Sequence, residues 1–264
     1  MKLTIDTGSG VLTTEHSGIC RDVPLYSREA FEVISREWVR TGWAVNYYFT
    51  LSWFGRPILQ LPEDLLRLQE VVNALQPDVI IESGIYGGGS LLFHATLCEA
   101  LGRGRIIGID KHIPEDTRRA IAQHRLAHRI EMIEGDSVAP ATVAKVRSLV
   151  KADEAVLVIL DSHHSKEHVA AELRAYAPLV TPGSYIVAAD GIMRDLTDVP
   201  GGDPAWSCDN PAAAALEFAS AHPEFEMRQP HWPFNQSTLE RNITYWPDGW
   251  LWKKTNCGEG RDGR

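Results

Sequence analysis

Short apolar runs alternate with amphipathic segments along most of the chain. The apolar runs predict strands at 78–82, 105–110, 130–134, 155–160 and 185–189. Apolar residues at helical spacing predict helices near 62–75, 90–101, 115–127, 140–150 and 165–177. Regular alternation of strand and helix indicates an α/β fold, in which helices cover both faces of a parallel sheet.

The C-terminal part of this pattern is less regular. A loop rich in Pro, Gly and Asp spans 195–211, and a helix is predicted near 210–221. Two short segments follow, at 224–228 and 242–246. As strands, they would complete a seven-stranded, mostly parallel sheet with one antiparallel strand, which is a Rossmann-like architecture.

The N-terminal part differs from the repeating region. Residues 1–24 are expected to be loosely ordered, 27–39 predicts a helix, and 42–55 is dense in aromatic side chains. We therefore expect an N-terminal extension (1–61, partly helical, serving as a lid or an oligomer contact), a Rossmann-like domain (62–254) and a flexible tail (255–264).

Composition and charge argue against several kinds of partner. The chain has 264 residues, of which 44% are hydrophobic and 23% charged, as in an ordinary soluble globular protein. Its formal net charge of -9 disfavours nonspecific binding to nucleic acid or to an anionic membrane. No apolar run approaches the length of about 18 residues that a membrane helix needs, and the N-terminus lacks the apolar core of a signal peptide. The four cysteines are scattered, so a cytoplasmic protein with reduced thiols is expected.

The most informative motif begins at the end of the first predicted strand. The segment Ile80 to Ser90 reads I-I-E-S-G-I-Y-G-G-G-S, with Glu82 before the glycines and a predicted helix after them. Glycines let a ligand approach the backbone closely, and the free N–H groups of a helix start attract polar or anionic groups. A nicotinamide site would have the spacing G-x-G-x-x-G, with an acid about 20 residues further on. The acid before the glycines instead suits a ligand with an amino group and a ribose, such as S-adenosylmethionine.

Acidic residues stand at the ends of the later strands. Asp110 ends the second strand, Asp136 and Ser137 follow the third, Asp161 follows the fourth, and Asp190 follows the fifth. Ligands of doubly wound sheets bind at these carboxyl ends. Asp110 is suited to accept both ribose hydroxyls, and Asp136 with Ser137 is suited to contact an adenine edge. Each acid taken alone is as readily explained as a helix cap or a turn former.

Two of these acids and a histidine form a candidate catalytic group. Neighbouring parallel strands lie about 4.8 Å apart, so Asp161 and Asp190 are placed to share Mg²⁺. His164 follows Asp161 closely and is suited to take a proton from a hydroxyl near neutral pH. The alternatives are that Asp161 contacts the amino group of the cofactor, that Asp190 caps a loop, and that His164 has a capping or surface role.

Candidate walls of an acceptor pocket come from aromatic residues and one histidine. Trp206 and Trp232 lie in polar loops with prolines, and aromatic faces stack well on sugar or polyketide rings. His163, the immediate neighbour of His164, is included as a candidate substrate-binding residue. The aromatic residues of 42–55 are more readily explained as core packing, although some of them can form a lid.

Several specific motifs occur in an order shared with a known family. They are W-F-G-R-P-I-L-Q-L-P-E-D-L (53–65), P-D-V-I-I-E-S-G-I-Y-G-G-G-S (77–90), I-G-I-D (107–110) and L-D-S-H-H-S-K-E-H-V-A-A-E-L (160–173). With the later segments 185–190, 209–218 and 247–253, the chain resembles the cephalosporin hydroxylase/rhamnosyl O-methyltransferase family over roughly residues 40–253. The resemblance implies a class I methyltransferase fold, S-adenosylmethionine as cofactor, Mg²⁺-assisted O-methylation of sugars or antibiotic intermediates, and a homo-oligomer.

The resemblance also implies roles for residues at matching positions. Asp161 would be a metal ligand beside the cofactor, and His164 would be the base of a D-x-x-H motif. Related enzymes often place two adjacent acids at the end of the fifth strand, whereas here Ala189 precedes Asp190. The metal site would then be weak, completed by substrate oxygens, or abandoned. The implied cofactor-binding residues are Glu82, Gly84, Tyr86, Gly88, Ser90, Asp110, Lys111, Asp136, Ser137 and Asp161.

The sequence therefore predicts an S-adenosylmethionine-dependent O-methyltransferase. Its acceptor would be a hydroxyl of a sugar or of a glycosylated natural product, as in antibiotic biosynthesis. One alternative is a non-catalytic cofactor-binding partner of a hydroxylase, which Ala189 favours. The others are a nicotinamide oxidoreductase, which the glycine spacing disfavours, and an N- or C-methyltransferase of a small metabolite.

Overall fold

The N-terminal residues fold into a small antiparallel sheet. The computed structural model describes residues 1–255 and begins with the strands β1 (Lys2–Asp6), β2 (Val11–His16) and β3 (Ile19–Pro24). The expectation of a loosely ordered start is therefore wrong. Ser17 and Gly18 form the two-residue turn between β2 and β3, and both have positive φ, as a tight hairpin requires.

Helix α1 (Arg28–Ala44) packs against this small sheet. It begins after Ser27, whose hydroxyl accepts a hydrogen bond from the Ala30 N–H, and it continues beyond its predicted end. Leu12 and Val23 form a small buried cluster with Ala30, so the helix covers one face of the sheet. The chain then forms a short hairpin of β4 (Ser52–Trp53) and β5 (Arg56–Pro57), followed by α2 (Pro62–Leu75).

Strands and helices alternate in the rest of the chain, as the sequence predicts. The strands are β6 (Val79–Ser83), β7 (Arg105–Asp110), β8 (Ile130–Glu134), β9 (Val156–Leu160) and β10 (Tyr185–Ala188). The helices between them are α3 (Gly89–Leu101), α4 (Glu115–Gln123), α5 (Pro140–Leu149) and α6 (Lys166–Tyr176). The last elements are α7 (Pro211–Ala221), β11 (Phe225–Met227) and β12 (Trp250–Lys253).

The main sheet has seven strands in the order β11-β12-β10-β9-β6-β7-β8. The strands from β6 to β10 pair in parallel, and β12 is antiparallel to both β10 and β11. The predicted Rossmann-like sheet with one antiparallel strand is therefore confirmed. The order places β6 in the middle, with β7 on one side and β9 on the other.

The antiparallel strand lies later in the chain than predicted. Segment 242–246 is not a strand, because its backbone groups bond elsewhere. The Tyr245 N–H donates to the buried carboxylate of Asp64 (2.8 Å), and the Tyr245 carbonyl accepts from the Ile192 N–H (3.0 Å). Backbone groups that are satisfied in this way cannot join a strand ladder, although the segment is apolar.

Two apolar layers enclose the main sheet. Successive side chains of a strand point to opposite faces, so Ile80 of β6 packs in one layer, and Val79 and Ile81 pack in the other. All residues of β6 are buried, which explains the continuous apolar run in the sequence. The sheet therefore holds the end of β6, where the glycine loop begins, on a rigid platform.

The sequence also predicts that the chain has no membrane helix and that it divides into an extension, a domain and a tail. Within residues 1–255, no helix is long and apolar enough to cross a membrane. The predicted tail at 255–264 lies outside the described residues except for Thr255. The division into an extension, a domain and a tail stays a prediction.

Candidate functional site

A cavity of about 990 Å³ opens at the carboxyl ends of β6 to β9. The chain leaves β6 for β7 on one side, whereas β9 lies on the other side, so the cavity sits where the strand order reverses. Such a switch point is the usual ligand site of an open α/β sheet. Of the predicted site residues, the lining includes Gly84, Tyr86, Asp110, Lys111, Asp136, Ser137, Asp161 and His163.

Gly84 lets the ends of β6 and β9 approach each other. Its φ is +94°, and a Cβ atom on it would lie only 1.9 Å from the Asp161 carbonyl oxygen. The Asp161 N–H also donates to the Ser83 carbonyl (2.9 Å). Because only glycine fits at this position, the loop and Asp161 are held side by side.

Asp110 fastens the glycine loop to the end of β7. Its Oδ2 accepts hydrogen bonds from the N–H groups of Ile85 (2.8 Å) and Tyr86 (3.1 Å), and its Oδ1 accepts one from the His112 N–H (3.1 Å). A carboxylate accepts about four hydrogen bonds, so room for one remains. Asp110 thus holds the loop, and its predicted contact with the ribose hydroxyls stays a prediction.

Arg56 supports the same loop from the β4–β5 hairpin. Its Nε donates to the Gly87 carbonyl (2.6 Å), and its Nη2 donates to the Thr117 hydroxyl (2.7 Å). Pro57 packs so closely that a Cβ atom on Gly89 would lie 2.2 Å from the Pro57 carbonyl oxygen. Arg56 and Pro57 are not among the predicted site residues, although the motif at 53–65 contains both.

Glu82, Gly88 and Ser90 are not among the residues that line the cavity. Glu82 is fully buried and faces His94, with 3.6 Å between Oε1 and Nε2. Among residues 1–255, neither carboxylate oxygen of Glu82 has a hydrogen-bond partner. The cofactor role predicted for these three residues stays a prediction.

Asp161, His164 and Asp190 meet beside the cavity. One possible ligand atom from each lies within 4.8 Å of the other two. The His164 Nε2 atom is 3.4 Å from Asp190 Oδ2. Three residues that the sequence places at two strand ends therefore form one compact group.

Gln60 is a further member of this group that was not among the predicted site residues. Its Nε2 donates to Asp161 Oδ2 (3.0 Å), and its side chain is almost fully buried. Its Oε1 has no hydrogen-bond partner in the described part of the chain. The signal for Gln60 was a single polar residue between Leu59 and Leu61.

Burial shifts the protonation equilibria of the group. Burial raises the pKa of Asp161 most, and repulsion from Asp190 raises it further. The nearby His164 and the hydrogen bond from Gln60 oppose this shift. Burial raises the pKa of Asp190 to about 7. Burial also lowers the pKa of His164, so its neutral form is favoured near neutral pH. Crowded carboxyl groups that ionise with difficulty would be stabilised as anions by a cation.

The donor set at this site fits a divalent cation. Mg²⁺ prefers oxygen ligands and is often bound by one or two carboxylates together with water and substrate oxygens. Asp161 and Asp190 supply two carboxylates that are close enough to hold one ion. Ala189 is fully buried in the apolar core and offers no ligand.

Trp206 lies at a second cavity, of about 350 Å³. Trp43, Asn46 and Tyr48 also line it, and the rings of Trp43 and Trp206 meet edge to face with 6.3 Å between centroids. Burial and the nearby Asp190 raise the pKa of Tyr48, so this aromatic cavity lies close to the acidic group.

Trp232 lies outside both cavities. The Arg67 guanidinium of α2 stacks over its ring, 4.8 Å from the centroid. This cation–π contact holds the ring on α2. The predicted role of Trp232 in an acceptor pocket stays a prediction.

The sequence of a known family matches the part of the chain that contains the glycine loop and the acidic group. The sequence model described as rhamnosyl O-methyltransferase/CmcI matches residues 45–254. The chain belongs to the rhamnosyl O-methyltransferase/CmcI family. This result confirms the resemblance that the sequence motifs indicate.

Relatives and solved structures of the rhamnosyl O-methyltransferase/CmcI family are distant from this chain. A rhamnosyl O-methyltransferase of Mycobacterium leprae (strain TN) is 33% identical over 148 residues, which cover 55% of this chain and 62% of the relative. The chain spans less than two thirds of the length of the first curated relatives it matches. The apo structure of CmcI has a TM-score of 0.52 at 20% identity, covering 78% of this chain and 77% of CmcI. A CmcI structure with Mg and SAM has a TM-score of 0.51 at 20% identity, covering 78% of each chain, and both likenesses show the shared fold.

Proposed function

We propose that this protein is an S-adenosylmethionine-dependent O-methyltransferase that acts on a hydroxyl group of a sugar or a glycosylated metabolite. The observation that carries the proposal is one site that combines a glycine loop, polar strand ends and a carboxylate–histidine group. The loop allows close approach of a nucleoside ligand, and the carboxylate–histidine group suits the activation of a hydroxyl. Membership of the rhamnosyl O-methyltransferase/CmcI family supports both parts.

The cofactor would lie across the carboxyl ends of β6 to β9. A volume of about 990 Å³ is ample for a ligand of this size. Gly84 and Tyr86 would contact the methionine part, and Asp110 with Lys111 would contact the ribose side. Asp136 and Ser137 would contact the adenine. Glu82, Gly88 and Ser90 would contribute by shaping the loop from beneath.

Asp161 and Asp190 would hold Mg²⁺, with Gln60 fixing the orientation of the Asp161 carboxylate. A bound Mg²⁺ would lower the pKa of an acceptor hydroxyl that coordinates it. The CmcI structure with Mg and SAM supports this choice of ion. Since Ala189 supplies no third carboxylate, substrate oxygens and water would complete the ligand set.

His164 would act as the general base. Its Nε2 lies 3.4 Å from Asp190 Oδ2, so a hydrogen on Nε2 would face that carboxylate and Nδ1 would be the basic atom. The cofactor supplies a methyl group on a positively charged sulfur. Nδ1 would take the proton of the acceptor hydroxyl as its oxygen attacks that methyl group, and the electron pair of the broken carbon–sulfur bond would stay on sulfur. Asp190 would stabilise the imidazolium, and the walls of the site would hold the reactants in line.

The second cavity would bind the acceptor. Trp43, Tyr48 and Trp206 present aromatic faces, which stack well on sugar rings. His163 lines the first cavity beside the reacting groups and would contact the acceptor from that side. The acceptor class is compatible with the modification of glycosylated natural products, including antibiotics.

The N-terminal extension would contact a second copy of the chain. Trp38, Phe49 and Phe54 expose 43%, 55% and 54% of their surface, so they are available for such a contact. Sedimentation velocity at micromolar concentration should therefore show a dimer or a larger homo-oligomer. A monomer under these conditions would contradict this part of the proposal.

His164→Ala tests the proposed mechanism. Turnover should fall by about 10²–10⁴-fold, as expected for loss of a general base, while the affinity for S-adenosylhomocysteine stays within a factor of about two. His128→Ala is the matched control, because His128 is exposed and lies outside both cavities. Turnover of His164→Ala equal to that of the control would remove His164 from the mechanism.

A second candidate function is a cofactor-binding partner of another enzyme, such as a hydroxylase, without turnover of its own. The buried Ala189 favours it, because the site offers two carboxylates rather than three. Cofactor binding without methyl transfer to any of a panel of sugar and glycoside acceptors would support this candidate. Transfer to any acceptor would exclude it.

A further inference from the structure

A connected polar network forms the wall of the first cavity near Asp136. His168 of α6 is at its centre, with Nε2 lying 3.1 Å from Ser137 Oγ and 3.3 Å from Ser162 Oγ. Glu172, one helical turn further, is fully buried, and its Oε1 accepts a hydrogen bond from Ser162 Oγ (2.8 Å). The same Oε1 lies 3.5 Å from His168 Nε2. Ser137, Ser162 and His168 all line the cavity.

The positions of the hydrogens in this network follow from the acceptors. The Ser162 hydroxyl hydrogen is directed to Glu172. The Glu172 carboxylate also favours a hydrogen on the Nε2 atom of His168, whose shortest contact is Ser137 Oγ. Ser137 therefore accepts from His168, and its own hydroxyl hydrogen has no acceptor within residues 1–255. A donor that lines a cavity in this state is available to a ligand.

The charges around His168 keep the hydrogen on its ring. Its hydrogen bond with Glu172 raises the pKa of His168, against the opposing effect of burial. Asp136, on the loop after β8, adds to this rise, whereas Lys111, after β7, opposes it. The ring of His163 meets that of His168 edge to face at 5.3 Å. The acidic groups outweigh the basic one, so His168 remains a donor to Ser137.

Asp136 and Ser137 thus offer an acceptor beside a donor. Asp136 uses Oδ1 to accept from the Val138 N–H (3.1 Å), which leaves Oδ2 for a ligand. The Watson–Crick edge of adenine presents the complementary pair, because its amino group donates and its N1 accepts. Hypoxanthine presents the reverse, with a 6-oxo acceptor and a hydrogen on N1.

We propose that Ser137 donates a hydrogen bond to N1 of adenine, and that His168 and Glu172 are positioning residues that make the cavity select adenine over hypoxanthine. The proposal rests on the proposed function, since it takes S-adenosylmethionine to be the ligand. It adds a specificity-determining network to that site. Glu172 and His168 act through Ser137 and need not touch the cofactor.

Calorimetric titrations with S-adenosylhomocysteine and S-inosylhomocysteine test the network. Wild-type protein should bind the adenosyl compound at least about tenfold more tightly, since the inosyl compound leaves the Ser137 donor unpaired. Ser137→Ala should lose about tenfold affinity for the adenosyl compound and little for the inosyl compound. Glu172→Gln and His168→Gln should reduce the ratio of adenosyl to inosyl affinity by about three- to tenfold. Ser148→Ala, on the exposed surface of α5, should leave it unchanged.

The outcomes separate this inference from the proposed function. Tight adenosyl binding by the wild-type protein, with an unchanged ratio in Glu172→Gln and His168→Gln, would overturn the inference and leave the proposed function intact. Failure of folded wild-type protein to bind either compound would overturn both. Ser137→Ala removes a single hydroxyl, so it still decides the matter if the larger changes prevent folding. Equal affinities of the wild-type protein for the adenosyl and inosyl compounds would also overturn the inference.

Discussion

Gly84→Ala is expected to weaken the fold and the candidate site together. The added Cβ would start 1.9 Å from the Asp161 carbonyl oxygen, whereas an ordinary contact needs at least 3.4 Å. Relief requires movement of main chain at the ends of β6 and β9, where Asp161 joins the acidic group. The substitution therefore displaces a proposed metal ligand without changing any polar side chain.

The expected loss in the free energy of unfolding has two parts. A residue other than glycine at positive φ costs about 1–2 kcal/mol. Forcing extra volume into closely packed structure costs about 1–3 kcal/mol. The free energy of unfolding should therefore fall by about 2–5 kcal/mol, and the affinity for S-adenosylhomocysteine should fall about tenfold or more, since roughly 1.4 kcal/mol corresponds to a factor of ten.

Gly102→Ala separates the two parts. Gly102 also has positive φ, +68°, but a Cβ atom on it would meet nothing within 4 Å. Urea unfolding followed by tryptophan fluorescence should give this control only the loss of about 1–2 kcal/mol, with unchanged affinity for S-adenosylhomocysteine. If Gly84→Ala matched Gly102→Ala in stability and bound the ligand like the wild type, the argument from close approach at Gly84 would be refuted.

Two further substitutions probe other parts of the site, and a third probes the buried Asp64. Asp190→Asn should lower the affinity for Mg²⁺ at least about tenfold by calorimetry, and equal affinity would exclude Asp190 as a ligand. Trp206→Ala should raise KM for a glycoside acceptor about tenfold with little change in KM for the cofactor, and the reverse result would place Trp206 elsewhere. Burial raises the pKa of Asp64 from 3.8 to about 7, so the folded protein holds an extra proton between these values. The raised pKa of Asp64 therefore makes the free energy of unfolding fall by up to about 4 kcal/mol as pH rises from about 4 to 7. Asp64→Asn should remove this pH dependence, which urea titrations at several pH values would measure.

The main sheet and the ends of its strands follow from local sequence patterns. Strands β6 and β9 are buried on both faces, so they appear as continuous apolar runs with sharp ends. A parallel sheet gathers those ends at one edge, which is why Asp110, Asp136 and Asp161 line one cavity. The sequence pattern alone is enough to predict which residues share the cavity, because the sheet brings the strand ends together.

The missed features depend on contacts that are distant in sequence. The interaction of Gln60 with Asp161 and that of Arg56 with Gly87 join segments that no local periodicity relates. The segment around Tyr245 resembles a strand, but the Tyr245 N–H donates its hydrogen bond to the Asp64 carboxylate and not to a neighbouring strand. The sheet at the N-terminus has a local signal in the Ser17-Gly18 turn, which hydrophobic periodicity alone does not show.

Calorimetric titration of metal-free protein with S-adenosylhomocysteine tests the central claim most directly. The account predicts micromolar binding, about -8 kcal/mol, that depends on the glycine loop and the strand ends. Circular dichroism on the same sample would establish that the protein is folded. An absence of binding to folded protein would contradict the assignment of the cavity and every role that follows from it.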